Sequence, residues 1–258
     1  MTIDFHSEKN RYTYASREAH DGWAKAILDV VDPRGARIAD VGCGGGIYSN
    51  AWADLGVAAV VGVDFSEQMV IAARENAQER PNVSFQQGSA ENTGLSSENF
   101  DVVFERALIH HLQDFDDCFA EAYRLLVAGG KLIIQDRTPE DVQIPGSSEH
   151  IRGYFFELFP RLTEFETKRR PKDERVHDAL LKAGFSNIES KNLWETRKVY
   201  DRFDLLAQDL RGRTGRSILH ELDDGEIEQL IEHIGNQIDK SQAIFEKDRW
   251  TLWVAKKV

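Results

Sequence analysis

The stretch Asp40-Val41-Gly42-Cys43-Gly44-Gly45-Gly46 constrains this chain more than any other. It lies between a strand pattern beginning at Arg37 (RIADVGC) and a helix pattern (IYSNAWADL) that Gly56 stops. Glycines at a strand-to-helix turn let the backbone reverse tightly and bring its amides close to a ligand. The residues after Gly56 keep the same rhythm. VAAVVGVD is a continuous apolar run, as a strand buried on both faces requires. Ser66 is placed to cap a helix whose Met69, Val70 and Ala73 share one side. NVSFQQ (82–87), FDVVF (100–104) and KLIIQ (131–135) read as three further strands, and CFAEAYRLLVAGG as a helix with glycine at its end.

Strands alternating with helices predict a right-handed, mostly parallel α/β sheet. Upstream, Ala19, Trp23, Ile27, Val30 and Val31 form the stripe of an amphipathic helix ended by Asp32-Pro33-Arg34-Gly35. After Asp136 the alternation stops. A helix at 176–182 leads to a strand near 188–193, and the chain closes on the alternating WTLWVAKK. Between these, Asp223 and Glu226 read as a capping pair ahead of a stripe of Ile227, Leu230, Ile231, Ile234 and Ile238. The expected fold is a Rossmann-like, seven-stranded, mostly parallel sheet with an antiparallel last pair, helices on both faces and a helical cap. The expected parts are an N-terminal segment or lid (1–35), a core (36–137), cap insertions (138–175 and 197–247), and a closing helix and strands (176–196 and 248–258).

Charge narrows the function. Lys and Arg number 32 against 44 acids, a net charge of −12, and such a field repels a phosphate backbone. Nucleic-acid binding is therefore disfavoured. The polar start MTIDFHSEKNRYTY lacks an apolar signal core, and no apolar run approaches the length of a membrane span, so a cytoplasmic location is expected. Cys43 and Cys118 are too few for a disulfide framework or a four-ligand zinc site.

The chemistry lies at the strand ends. A dinucleotide fingerprint G-x-G-x-x-G counted from Gly42 puts Ile47 where the third glycine belongs. Asp40 beside the turn would repel a pyrophosphate but attract a ligand with ammonium and sulfonium charges, which points to S-adenosylmethionine. Asp64, ending the next strand, is placed to accept ribose hydroxyls.

At IADVGCGGG, VVGVDFSEQM, FQQGSAE, FDVVFERALIHHL and EAYRLLVAGGKLIIQD, taken in order, the chain resembles the class I S-adenosylmethionine-dependent methyltransferases, especially the small-molecule branch known as methyltransferase type 11. The resemblance covers about residues 36–137. It implies that Asp40, Gly42 and Gly44 meet the methionine part, Asp64 the ribose, Met69 the adenine face, and Ser89 and Ala90 the adenine edge, with Cys43, Phe65 and Arg106 as further cofactor-binding candidates. Ser89 departs from the pattern, in which an acid is usual; a charge-assisted bond there becomes a neutral one. Glu105-Arg106-Ala107 also departs from the N/D-P-P-Y/F type of sequence used on planar amides and adenine amines.

His110 and His111 stand next, at the expected start of a helix and about 100° apart around it. Either is a candidate general base; His111 is preferred because in similar amine methyltransferases the histidine at this place meets the acceptor. Tyr14, in the N-terminal segment with Tyr12 and Arg17, is a third catalytic candidate if that segment closes over the site. Adjacent histidines share no helix face, so no metal site is expected. Arg152 and Phe156 in one insertion, and Arg213 and Arg216 in the glycine-punctuated LRGRTGRS of the other, are candidates to bind the acceptor, an anionic one if the arginines act as a clamp. The expected reaction is methyl transfer to a small soluble acceptor, leaving S-adenosylhomocysteine, and a homodimer is compatible with it. The rivals are an RNA or protein methyltransferase, a dinucleotide oxidoreductase, and a non-catalytic binder of the same nucleoside.

Overall fold

The computed structural model describes residues 21–77 and 80–258. Within them the chain runs through α1 (Asp21–Leu28), β1 (Arg37–Val41), α2 (Ile47–Asp54), β2 (Ala59–Asp64), α3 (Glu67–Asn76), β3 (Val83–Gln87), β4 (Phe100–Arg106), α4 (Asp116–Leu125) and β5 (Leu126–Asp136). It continues through α5 (Pro139–Val142), α6 (Gly153–Leu158), α7 (Pro160–Arg169), α8 (Asp173–Lys182), β6 (Phe185–Tyr200), α9 (Phe203–Arg211), α10 (Asp224–Gln237) and β7 (Ile244–Lys257). The strands form one seven-stranded sheet in the order β3-β2-β1-β4-β5-β7-β6. The pairs from β3 across to β5 are parallel, and β7 runs antiparallel to both β5 and β6.

Side-chain alternation splits the sheet into two packed faces. Ile38, Val102, Phe104, Ile133 and Leu252 point to the side of Trp23 and Trp52, on α1 and α2. Ala39, Val41, Val103, Leu132, Ile134 and Trp253 point to the side of Phe119, Val176 and Leu180, on α4 and α8. The central strands are apolar throughout because both faces are covered. β2 and β4 flank β1 on opposite sides, so the chain order reverses there and a crevice opens at the carboxyl ends of the strands.

A separate apolar core lies in the cap, where Phe155, Phe156 and Leu162 pack with Leu206, Leu210, Leu230 and Ile234. β6 and β7 carry it. β5 pairs with β7 only from Thr251 to Lys256, whereas β6 and β7 stay paired outward to Tyr200 and Ile244. That outer half is an arm reaching beyond the sheet into the cap.

Three expectations need correction. The strand expected near 188–193 extends to Tyr200, because its continuation alternates buried Glu195 and half-buried Arg197 with outward residues, a pattern that hydrophobicity alone does not reveal. α4 ends at Leu125 and not at the glycines; Leu126 is already extended, and a Cβ on Gly130 would meet the Asp101 and Val127 carbonyls at 3.0 Å. His110 and His111 lie in a single 3-10 turn, Ile109–His111, five residues short of α4. Two capping expectations agree: Ser66 Oγ accepts from the Met69 amide, and Asp223 and Glu226 form a reciprocal box.

Candidate active site

A cavity of about 640 Å³ opens at the carboxyl ends of β1, β2, β4 and β5, under the cap. That is within the range of small-molecule sites. One end is the glycine turn. Gly42, Gly44 and Gly46 hold φ of +75°, +52° and +79°. The Gly42 and Cys43 amides donate to the Val63 carbonyl, and the Gly44 amide donates to Asp64 Oδ2 at 2.9 Å, so the turn is pinned to the end of β2. A Cβ on Gly46 would come within 2.8 Å of the Phe85 ring.

Asp40 shares the face of Ile38 and is buried against α2, where its Oδ2 accepts from Ser49 Oγ at 2.5 Å. Burial pushes its carboxyl up, against the Ser49 hydrogen bond and with repulsion from Asp64, to about 7. A buried carboxyl on the cavity wall at that value binds a cation by becoming fully ionised. Asp64 accepts from the Ser66 and Gly44 amides, each at 2.9 Å, and borders the cavity. Burial, with Asp40 and Asp64 nearby, raises the Cys43 thiol well above its ordinary value, so it is no nucleophile. Phe65 and buried Met69 line the next stretch, followed by Ser89 and Ala90. Ser89 Oγ accepts from the Asn92 amide at 3.1 Å, which turns the hydroxyl into its own loop. Arg106 closes this wall. Its guanidinium lies over the rings of Tyr48 and Trp250 and donates to Glu195 at 2.9 Å.

The other end is built around Asp136, at the end of β5. His110 Nδ1 meets its carboxylate at 2.8 Å, and Arg170 donates to it at 2.8 Å. Burial and the Arg170 charge push the His110 imidazole down to about 3, against the pull of Asp136. The ring is therefore neutral, with Nδ1–H donated to Asp136 and Nε2 left as the acceptor nitrogen. Burial would raise Asp136, but His110 and Arg170 hold it well below the usual carboxylate range. His111 lies with its ring centroid 4.0 Å from that of His110 and is the more exposed of the two.

Residues 39–134 match the family model described as a methyltransferase domain. That stretch, running from β1 into β5, is what the chain shares with methyltransferase domains. Over 162 residues it is 30% identical to a ubiquinone biosynthesis O-methyltransferase of Roseobacter denitrificans, covering 61% of this chain and 63% of that one. Over 118 residues it is 33% identical to the uncharacterized methyltransferase YcgJ of Bacillus subtilis, covering 45% and 46% respectively. The chain thus spans between about half and just under two thirds of the length of these curated relatives. The fold matches the crystal structure of YcgJ with a TM-score of 0.58 at 20% identity, over 92% of this chain and 99% of that one. It also matches Haemonchus contortus phosphoethanolamine N-methyltransferase 2 in complex with S-adenosyl-L-methionine, with a TM-score of 0.61 at 20% identity, over 99% and 60% of the two chains.

Every residue expected from sequence to meet the cofactor borders this cavity, as do His110, His111, Arg152 and Arg216. Two do not. Phe156 is buried in the cap core, and Arg213 donates to the Leu219 and Leu222 carbonyls and pairs with Asp224, outside the cavity. Tyr14 and the rest of 1–20 lie outside the described residues. Arg216 is wholly buried between Asp209 and Glu246, so its role in shaping the cap is direct. Sequence reasoning missed Tyr48, Glu91, Arg137 and Arg170, all of which line the cavity. Arg137 was within reach, standing one residue past a strand end. Arg170 sits in a basic run, Lys168 to Arg170, whose inward member no local pattern marks. No helix among the described residues is long and apolar enough to cross a membrane.

Proposed function

We propose that the chain is an S-adenosylmethionine-dependent methyltransferase acting on a small acceptor and releasing S-adenosylhomocysteine. The observation that carries this reading is the buried Asp40 carboxyl on the cavity wall, near neutrality, beside a turn of positive-φ glycines. It fits an ammonium and a sulfonium, and not a pyrophosphate. Asp64, whose amide bonds fix its orientation, suits the ribose hydroxyls, and exposed Phe65 with Met69 suits the adenine. The names of the relatives, an O-methyltransferase and a phosphoethanolamine N-methyltransferase, agree with a small acceptor.

When bound, the cofactor supplies a methyl carbon activated by its positive sulfur. The protein's part is alignment and exclusion of water. Asp40 and the glycine turn hold the donor end, and the cap roofs the cavity. His110, neutral and oriented by Asp136, borders the cavity and is the candidate to receive a hydrogen bond from a hydroxyl or amine acceptor. His111 is the second candidate.

The test is transfer of labelled methyl from the cofactor into a cell extract treated with the protein. Label in the small-molecule fraction is expected; label confined to protein or RNA would contradict the small acceptor.

A further inference from the structure

Four guanidiniums border the cap side of the cavity, those of Arg137, Arg152, Arg170 and Arg216. All are buried, in a chain of net charge −12. Arg216 and Arg197 share Asp209 and Glu246, and Lys198 also reaches Asp209 from the surface. The others, all away from the surface lysine, also outnumber their carboxylates. Arg152, Arg169 and Arg170 share Glu166; Arg170 also takes Asp136; Arg137 has Asp248. That makes four guanidiniums (Arg137, Arg152, Arg169, Arg170) against three carboxylates (Asp136, Glu166, Asp248), with His110 neutral beside them.

The surplus falls on two side chains facing the cavity. Arg152 makes one bond to Glu166, at 3.0 Å, and its buried Nε has no partner. Arg137 makes one bond to Asp248, at 2.7 Å, and its guanidinium lies 3.9 Å from the Trp250 ring centroid. Burial and repulsion from Arg152 and Arg170, against the attraction of Asp248, push Arg137 down to about 9. An unmatched buried positive charge is costly unless a counter-charge arrives, and a cleft with low-dielectric walls focuses its field.

We propose that Arg137 and Arg152, backed by Arg170, form an oxyanion subsite that holds a carboxylate or phosphate of the methyl acceptor. The subsite rests on the methyl-transfer reading, to which it adds the class of acceptor. Its parts come from different elements: Arg137 follows β5, Arg152 opens α6 and Arg170 ends α7. The cap therefore contributes two of the three cations, and the site is complete only when cap and core are together. Arg170 and His110 bind the same Asp136 carboxylate, so the anion's anchor and the candidate base are braced by one group. Arginine suits the task, since its planar fork binds both oxygens of an oxyanion.

The test is calorimetric titration of the protein, saturated with S-adenosylhomocysteine and held at constant ionic strength with chloride. Inorganic phosphate is the probe in one arm and acetate in the other. Saturable binding of at least one is expected, weakened tenfold or more in Arg137→Gln and in Arg152→Gln and unchanged in Arg211→Gln, a surface charge control. Arg152→Lys, which keeps the charge but not the fork, serves if Arg152→Gln does not fold, and should bind at least threefold more weakly than wild type. A preference for phosphate assigns a phosphoryl group, and a preference for acetate a carboxylate. Binding of neither probe, or equal binding by wild type and both subsite variants, overturns the proposal. Binding of S-adenosylhomocysteine is measured separately, so failure of the methyl-transfer reading shows there and leaves the anion titration readable.

Discussion

Replacing Asp40 by Asn should make the unliganded protein more stable while removing its hold on the cofactor. The carboxyl is displaced by burial from 3.8 in the unfolded chain to about 7 in the folded one. A group whose folded pKa is raised contributes most at low pH, and that contribution is lost as pH rises through the folded value. With these two values the carboxyl destabilises the wild type by about 4 kcal/mol at pH 8 and about 2 kcal/mol at pH 5. Asn has no such penalty and retains an oxygen to accept from Ser49 Oγ. Glu105, which burial pushes up to about 8, adds pH dependence of the same sign, but it is present in both proteins and cancels in the difference. Urea unfolding of both proteins at pH 5, 6.5 and 8 should therefore give curves that diverge with pH, with the variant ahead and its lead growing by about 2 kcal/mol. Parallel curves, or a variant that is less stable at pH 8, would refute the claim that Asp40 is kept near neutrality by burial. The same variant should bind S-adenosylmethionine at least tenfold more weakly, the loss of one desolvated ion pair.

Gly46→Ala places a Cβ 2.8 Å from the Phe85 ring at a φ of +79°, and should lower stability by about 2 kcal/mol or more by denaturant titration; a loss under 0.5 kcal/mol would show that the turn relaxes freely. His110, with its folded pKa at about 3, should give imidazole ¹⁵N shifts of the neutral, Nδ1-protonated tautomer at pH 5, and a resonance titrating near 6.5 would refute the claim that burial and Arg170 keep the ring neutral. On the acid side, His110, Asp136 and Glu166 all have folded values below their unfolded ones. Their stabilisation is present at neutral pH and lost as pH falls, through 6.5 for His110 and below about 4.5 for the carboxylates. Glu166→Gln should therefore flatten the stability profile below pH 5, as read by circular dichroism melts.

The features legible in the sequence were those that local physics marks. A glycine turn between an apolar strand and a helix, an acid at each strand end, and a capping serine are all set within a few residues, and Asp40, Asp64 and Ser66 stand where they were expected. The acceptor end was less legible because its partners are far apart in sequence. Arg170 and His110 meet on Asp136 across 34 and 26 residues, and Arg137 reaches Asp248 across 111. Phe156 looked like a site aromatic, yet it lies in the cap core, since a second hydrophobic core cannot be told from a lining by composition. Arg213 and Arg216 are three residues apart in one loop. One ties loop carbonyls outside the cavity and the other is buried on its wall, and only the path of the arm of β6 and β7 decides which.

The most direct measurement on the central claim is calorimetric titration with S-adenosylhomocysteine, using NADH as the control ligand, on the wild type and on Asp64→Ala. Saturable binding of the nucleoside product, at least tenfold weaker in the variant and absent for NADH, is the expected result. Tight binding of NADH, or no binding of S-adenosylhomocysteine, would contradict the assignment of the cavity to a methyl donor.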